Sequence, residues 1–349
     1  MSNEISIIGA GPAGASMAYR LARSGYKVKV YEVNKKLALK PCGLGIPSSD
    51  DLPIKIKKEH IVRVIRGATL YVDEIKVLDK DNFLEGYIIN KESFLEDLII
   101  ESGAELYRGS SFNYGNLTVK ENGEIKKIEK GILAGGFPFY NGEKIDAVQI
   151  IVKSNEYENL NKLLIYFDTE IVGYYWVFPG IDGIEVGVGG YRNAIELTKL
   201  LLKFIDNKIN DAKMISPIRG AKISVGGVKI DDEKLIKIGE SAGFVLPLTG
   251  EGIRPSIISG YEAADLMIKG VNIKNGLEEL KIKEAISMQR RILERVKSMN
   301  RERRRELLSS MPAEVHAEVA LGKMNKTNII KALAKRPDLA IKLLNYMRG

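Results

Sequence analysis

A chain of 349 residues with one cysteine, two histidines and one tryptophan is short of several kinds of chemistry at once. Cys42 has no partner for an intramolecular disulfide, which fits a reducing compartment. His60, His316 and that single thiol do not make up a usual zinc-ligand set, so no metal site is expected. No apolar run approaches the roughly 20 residues that span a bilayer. The apolar N-terminal stretch carries Glu4 and has no basic region ahead of it, unlike a secretory signal. The expectation is a cytoplasmic protein. An excess of one charge is also missing from most of the chain: residues 275–349 hold 17 Lys and Arg against 9 Asp and Glu, so the net charge of +8 belongs to the tail and the first 274 residues are neutral overall.

What is present is a sequence that is 45% hydrophobic and 28% charged, long enough for two lobes with a real core. "ISIIGAGPAGASMAYRLARSGYKVKVYE" reads as strand, tight turn, helix, turn and strand. Ile5, Ile7 and Ile8 supply the first strand, Met17, Leu21 and Ala22 the buried stripe of the helix, Gly25 its end, and Val28 and Val30 the second strand. Gly9, Gly11 and Gly14 form G-x-G-x-x-G within "GAGPAG", with Ala10, Pro12 and Ala13 between them. The first glycine permits the turn, the second lets backbone N–H groups approach a pyrophosphate, and the third packs helix on strand. Glu32, 23 residues after Gly9, stands where a carboxylate accepts from an adenosine ribose. A dinucleotide site is expected here.

The same logic returns at 87–109, where Phe94, Leu95, Leu98 and Ile99 share a helix face and Gly103 follows its end, and again at 234–238, a strand running into glycine. Segments dense in strand formers, 61–78 and 145–190, lie between these returns. The pattern predicts an α/β fold: a Rossmann-like FAD-binding domain (1–50, 85–135 and 225–272) interrupted by a mostly antiparallel β-sheet substrate domain (51–84 and 136–224), with a helical C-terminal region (273–349) broken near Pro312 and Pro337. FAD rather than NAD is favoured by a second glycine-rich helix entrance at 249–255. Gly250 and Gly252 bare the backbone there, and Pro255 is tolerated only in a first turn. A helix N-terminus stabilises the negative charge of a reduced flavin by roughly 0.3–2 kcal/mol. Glu240 and Ser241 are placed to meet the ribityl chain or the pyrophosphate.

"GAGPAG" with Glu32, "KPCGLG" (40–45), "YYWVFPG" (174–180) and "GESAGFVLPLTGEGI" (239–253) together resemble the geranylgeranyl reductase family of flavoproteins, which is built like the aromatic hydroxylases. The resemblance covers about residues 1–270. It implies a cofactor set that adds Lys40, Cys42, Gly43, Asn90, Gly239, Glu240, Pro247, Gly250, Glu251, Gly252 and Ile253 to the first loop and Glu32. It implies an FAD-dependent reductase that saturates isoprenoid (geranylgeranyl) chains of archaeal-type membrane lipids. It also implies a reduced donor, ferredoxin-like or NAD(P)H. Two positions depart from the family pattern: Glu240 replaces the usual aspartate, and Ile171 the first proline of P-x-x-Y-x-W-x-F-P. The hydroxylases' G-D/D-G segment has no counterpart around 132–139, which weighs against a flavin monooxygenase of an aromatic or quinone. A lipid-binding or electron-transfer flavoprotein without chemistry of its own is the other alternative.

Tyr174, Trp176 and Phe178 alternate along one strand and so share a face. A turn from Pro179 to Gly183 is expected to bring Ile184, Val186 and Val188 beside them, leaving Gly173, Gly187 and Gly189 on a thin opposite face. That wall suits a hydrocarbon substrate and equally suits ordinary core packing. For the reduction, one alkene carbon needs a proton and the other a hydride. Thiols ordinarily keep their proton at neutral pH, so Cys42 is either the proton donor or a small buried hydrophobe. Tyr174 or Trp176 can stabilise a developing cation through its ring face. Residues 281–305 carry ten Lys and Arg against three acids, which reads as a solvated helix face, a peripheral contact with an anionic membrane on its inner side, or a dock for an acidic donor. Nucleic acid is not expected, because the run lacks interleaved aromatics.

Overall fold

The computed structural model describes residues 4–121, 123–128, 131–230 and 235–323. Five parallel strands form the first sheet in the order Ile236–Lys237, Gly131–Leu133, Glu4–Ile8, Lys27–Glu32 and Glu105–Arg108. Helix α1 (Pro12–Ala22) starts with proline at its first position, and its Met17 and Leu21 are fully buried, each worth about 1.5–3 kcal/mol over an exposed side chain. Helix α2 (Lys91–Ser102) buries Phe94, Leu95, Leu98 and Ile99 and ends on Gly103 at φ 79°, a left-handed stop that suits glycine. Lys234, the first residue of the strand expected at 234–238, lies outside the described residues.

The second sheet has nine strands, all but one neighbouring pair antiparallel; the exception is Leu163–Asp168 beside Ile61–Val72. It takes in Gly45–Pro47, so the chain changes sheets directly after the Cys42 segment. Helix α3 (Ala194–Lys208) is capped by Asn193, whose side chain accepts from the Glu196 amide at 3.0 Å, and covers one face of the sheet with Leu197, Leu201, Phe204 and Ile205. Residues Ser111–Asn113, Thr118–Glu121 and Glu124–Lys127 make a small third sheet.

Helix α4 (Ile253–Ile268) returns to pack on α1 and shares its core with the first sheet. Then α5 (Ile273–Glu278), α6 (Lys281–Ser298), α7 (Arg301–Ser310) and α8 (Ala313–Ala320) form the helical tail, with Pro312 at the N-cap of α8. Pro337 lies outside the described residues.

The hairpin Gly173–Pro179/Ile184–Gly190 corrects one expectation. Tyr174 pairs with Gly189, Trp176 with Gly187 and Phe178 with Glu185. The aromatic face therefore carries the glycines, and Ile184, Val186 and Val188 lie on the opposite face with Tyr175 and Val177, in the core under α3. A shift of one residue in pairing moves every side chain to the other face. The glycine is what makes this register possible, since a β-carbon at Gly187 would overlap the Trp176 indole. Ile171 is 2% exposed in the same core, and its N–H donates to Asp168 Oδ1 at 3.2 Å, a bond proline cannot make.

Candidate active site

At the first helix entrance Gly9 takes φ 104°, and a β-carbon at Gly14 would overlap the Gly9 carbonyl, so strand and helix meet backbone to backbone. A β-carbon at Gly11, the N-cap of α1, would meet no atom within 4 Å beyond its chain neighbours. That open space before a helix N-terminus whose first turn holds no acid is the shape a pyrophosphate needs. Glu32 Oε2 accepts from the Ala10 amide at 3.1 Å, and its other oxygen accepts from the amide and side chain of Asn34 at 3.0 and 2.8 Å. Glu32 thus stands against the loop from Gly9 to Gly14.

Gly239, at the start of the segment that leads to the second entrance, lies against Ala13 of α1 and Ser256 of α4. Glu240 meets Lys40, Nζ to carboxylate oxygens at 2.6 and 2.7 Å, while the Ser224 amide donates to the same carboxylate at 3.3 Å. Two residues read as separate cofactor contacts are ion-paired to each other. Ser241 turns inward: its hydroxyl is 2.7 Å from the Leu133 carbonyl and 2.6 Å from that of Ile238, and the residue is 1% exposed, so it cannot meet a ligand. Gly250 takes φ 66°, Gly252 caps α4 ahead of Ile253, and Pro247 is buried in the turn before them.

Arg254, in the first turn of α4, has no exposed side-chain surface. Its guanidinium meets Glu251 Oε2 at 3.1 Å, Asp51 Oδ2 at 2.6 Å and the Leu321 carbonyl at 2.8 Å. Burial raises the Glu251 carboxyl above its ordinary value, against the pull of Arg254. Sequence reasoning passed over this arginine. An arginine at a helix N-terminus, where the dipole opposes a cation, is the signal that could have found it.

The aromatic face lies against the second entrance and the Cys42 segment. Tyr174 and Trp176 are edge to face with centroids 6.0 Å apart, Phe178 follows Trp176 at 6.4 Å, and Phe167 and His316 extend the row beyond Tyr174. The Tyr174 hydroxyl donates to the Thr249 carbonyl, tying this face to the second entrance. Burial, then the Cys42 thiol, raises the Tyr174 phenol well above its ordinary value. Trp176 Nε1 is buried without a hydrogen-bond partner, as is Nε2 of His316, whose ring is pushed down to about 4 by burial and so is neutral. Cys42 is half-buried, and Gly43 lies so close to Phe178 that a β-carbon there would come 2.8 Å from Cδ2. Asn90 spends its side-chain oxygen on capping α2, accepting from the Ser93 amide at 3.2 Å, so only its NH2 group is left for a ligand.

Two further residues on this face were missed. Glu185 is 6% exposed and accepts from Gln149 Nε2 at 2.7 Å, and the same nitrogen lies 3.5 Å from the Cys42 carbonyl. A charged residue sharing its parity with Gly187 and Gly189 in an otherwise apolar strand was the available signal.

The basic run is largely engaged within the fold. Arg290 and Lys297 pair with Glu143 and Glu294, Arg301 with Glu170, and Arg304 donates to the Thr169, Val296 and Lys297 carbonyls. These contacts bind α6 and α7 to the second sheet and favour a structural reading of the charge. Among the described residues no helix is long and apolar enough to cross a membrane. His60 lies near Glu59 and Asp97, but its ring is already held by Asp97 at 3.2 Å and by Ser93 at 3.0 Å, fastening the turn at 58–60 to α2.

Known proteins resemble this chain in sequence and in fold. Residues 7–40 match the family described as NAD(P)-binding Rossmann-like domain. The chain is 27% identical over 311 residues to digeranylgeranylglycerophospholipid reductase of Methanocaldococcus jannaschii, covering 79% of each. It is 25% identical over 314 residues to chloroplastic geranylgeranyl diphosphate reductase of Nicotiana tabacum, covering 76% of this chain and 66% of that one. A solved geranylgeranyl bacteriochlorophyll reductase-like protein from Thermoplasma acidophilum has the same fold, with a TM-score of 0.77 at 22% identity over 98% of both chains. A flavin-dependent brominase shares the fold more distantly, with a TM-score of 0.63 at 12% identity over 99% of both. The resemblance to the geranylgeranyl reductase family therefore runs along the chain and is not confined to its glycine loops.

Proposed function

We propose that this chain is an FAD-dependent reductase that saturates double bonds of isoprenoid chains, geranylgeranyl chains of archaeal-type membrane lipids being the substrate class its relatives' names suggest. One observation carries the reading: the segment bearing the lone thiol, the aromatic face and the second glycine entrance converge, through the contact of Gly43 with Phe178 and the bond from Tyr174 to Thr249.

The residues fit FAD. The empty space before Gly11 suits its pyrophosphate, Glu32 suits its adenosine ribose, and Gly250, Gly252 and Ile253 offer a second N-terminus for the isoalloxazine end. Reduced FAD, when bound, supplies the hydride. The chain's own part is to bind, exclude water and manage the proton. Cys42, at the edge of the aromatic face, is the proton donor in this reading. Tyr174 has its hydroxyl engaged by Thr249, so its ring, with that of Trp176, is what remains to face a cationic carbon. Phe178 with Trp176 makes the apolar wall along which a hydrocarbon lies. In this reading residues 1–50, 85–135 and 225–272 serve the cofactor and 51–84 and 136–224 the substrate. A reducing partner, ferredoxin-like or NAD(P)H, and any peripheral membrane contact would use the charge that the 281–305 run leaves outside its internal pairs.

The experiment is single-turnover reoxidation of anaerobically reduced protein by a geranylgeranyl lipid, with product mass read in parallel. The expected product gains two hydrogens per reduced bond. Oxygen in the product would move the assignment to a monooxygenase. General acid catalysis contributes typically 10²–10⁴-fold, so Cys42→Ala should slow reoxidation by about that factor with flavin content unchanged, and Cys42→Ser should recover little. Unchanged rates in both remove Cys42 from the chemistry.

A further inference from the structure

The segment that carries Cys42 has no regular structure and is bracketed by two non-glycine residues in the left-handed region, Ala38 at φ 59° and Leu44 at φ 57°. A side chain disfavours that conformation, so it must be imposed from outside. Four carbonyls are gripped to impose it. Leu39 accepts from Arg219, Lys40 from Lys91 Nζ at 3.3 Å, Cys42 from Gln149 Nε2 at 3.5 Å, and Leu44 from the Ile89 amide at 3.1 Å. The grip on Cys42 itself is the only one of the four from a neutral side chain. That side chain, Gln149, is in turn oriented by Glu185 at 2.7 Å. Among the described residues Glu185 makes no ion pair, although it is 6% exposed.

We propose that Glu185 is the positioning residue for Cys42: it orients the amide of Gln149, Gln149 holds the Cys42 carbonyl, and the thiol is fixed on the aromatic face when Glu185 is ionised. An ionised carboxylate can only accept, so Gln149 must turn its NH2 group inward, and that same group reaches the Cys42 carbonyl. A protonated carboxyl can also donate. The bond from Gln149 then loses its charge assistance and no longer fixes which way the amide faces, so the hold on the Cys42 carbonyl weakens and the segment loosens. The charged groups facing Glu185 are Arg219 from the strand Arg219–Ser224, Lys91 from α2 and Asp182 from the hairpin turn. Burial outweighs the two cations and pushes the carboxyl up to about 7, so the change of state falls near neutral pH. The catalytic consequence rests on the reading above that Cys42 delivers the proton.

Cys42 is the chain's one cysteine, so a thiol-specific maleimide reports on it alone. The test compares labelling rates of the purified flavoprotein, without lipid, from pH 6 to 8.5, as the ratio of variant to wild type at each pH so that the thiol's own ionisation cancels. Losing one hydrogen bond of ordinary net strength corresponds to about fivefold, so Glu185→Gln and Gln149→Leu should each label about fivefold faster than wild type at pH 8.5. Both ratios should fall to about one at pH 6, where wild type is loosened as well. Glu185→Asp, which keeps the charge, should retain part of the protection. A ratio of one throughout, or one that does not change with pH, overturns the proposal. Gln149→Leu decides the matter alone if Glu185→Gln does not fold. Coupling without lipid reduction would leave this inference standing and sink the functional reading, whereas lipid reduction without coupling does the reverse.

Discussion

Glu251 and Glu185 are both taken out of water in this fold, and they are compensated in different ways. Glu251 has 12% of its side chain exposed and stands 3.1 Å from the guanidinium of a fully buried arginine, which also reaches Asp51 and the Leu321 carbonyl. Glu185 is as deeply buried, yet its direct partner is a neutral amide, and Arg219 and Lys91 act on it only as surrounding charge. The first arrangement commits its charges to holding chain segments together, joining residue 51, the mouth of α4 and the end of α8. The second leaves a carboxyl balanced between its two protonation states. A matched buried pair is costly to disturb and serves as a staple, whereas an unmatched buried acid is costly to keep charged and can respond to its surroundings.

The largest expected effect comes from unbalancing the staple. Arg254→Met keeps much of the volume but leaves Glu251 buried without its countercharge, and breaking a buried pair typically costs about 3–5 kcal/mol. Urea denaturation should show that loss, and it should be larger at pH 8 than at pH 5, because Glu251 can take up a proton to relieve the strain. A loss below about 1 kcal/mol, the scale of a surface pair, would mean the guanidinium is not carrying the load described.

Glu185→Gln should act in the opposite direction. The carboxyl's folded value of about 7 stands above its ordinary 4.5, so between those values the native state holds a proton that the unfolded chain has lost. Stability from this group is therefore full below about 4.5 and falls as pH rises through about 7. Glutamine keeps the shape and an acceptor for Gln149 but never ionises. At pH 8 it should stabilise the protein by up to about 3 kcal/mol, with the gain disappearing at pH 4.5. Equal melting temperatures for variant and wild type at both pH values would show that Glu185 is solvated after all.

How much of this was legible depends on how far apart the cooperating residues lie in the chain. Gly9, Gly11, Gly14 and Glu32 fall within one strand-helix-strand unit, so their spacing gives away their arrangement, and the second entrance is equally local from Gly250 to Pro255. The pairing of Tyr174 to Phe178 with 184–190 was not legible, because both parities of the return strand look plausible: one is aliphatic, the other holds the glycines that an indole needs. Arg254 with Asp51 and Leu321, and Glu185 with Gln149 and Cys42, join residues 36 to 203 positions apart. No periodicity in a window of one helix or strand records contacts of that kind.

The smallest effect sharpens the comparison from the side of the staple. Asp51 is 2.6 Å from Arg254, but 43% of its side chain is exposed, so water already screens it and Glu251 should supply most of the neutralisation. Asp51→Asn keeps an oxygen in place to accept from the guanidinium and removes only the charge. The expected loss is about 0.5–1 kcal/mol, reduced further by salt, since exposed partners are worth little. Measured in a cycle with Glu251→Gln, the two substitutions should be strongly non-additive, because they share one cation. After Glu251 is neutralised, Asp51 is the remaining countercharge, and its removal should then cost severalfold more. If Asp51→Asn alone costs as much as Arg254→Met, the balance of charge at the mouth of α4 sits at the surface. Glu251 would then belong with Glu185, as an acid that the fold buries without matching.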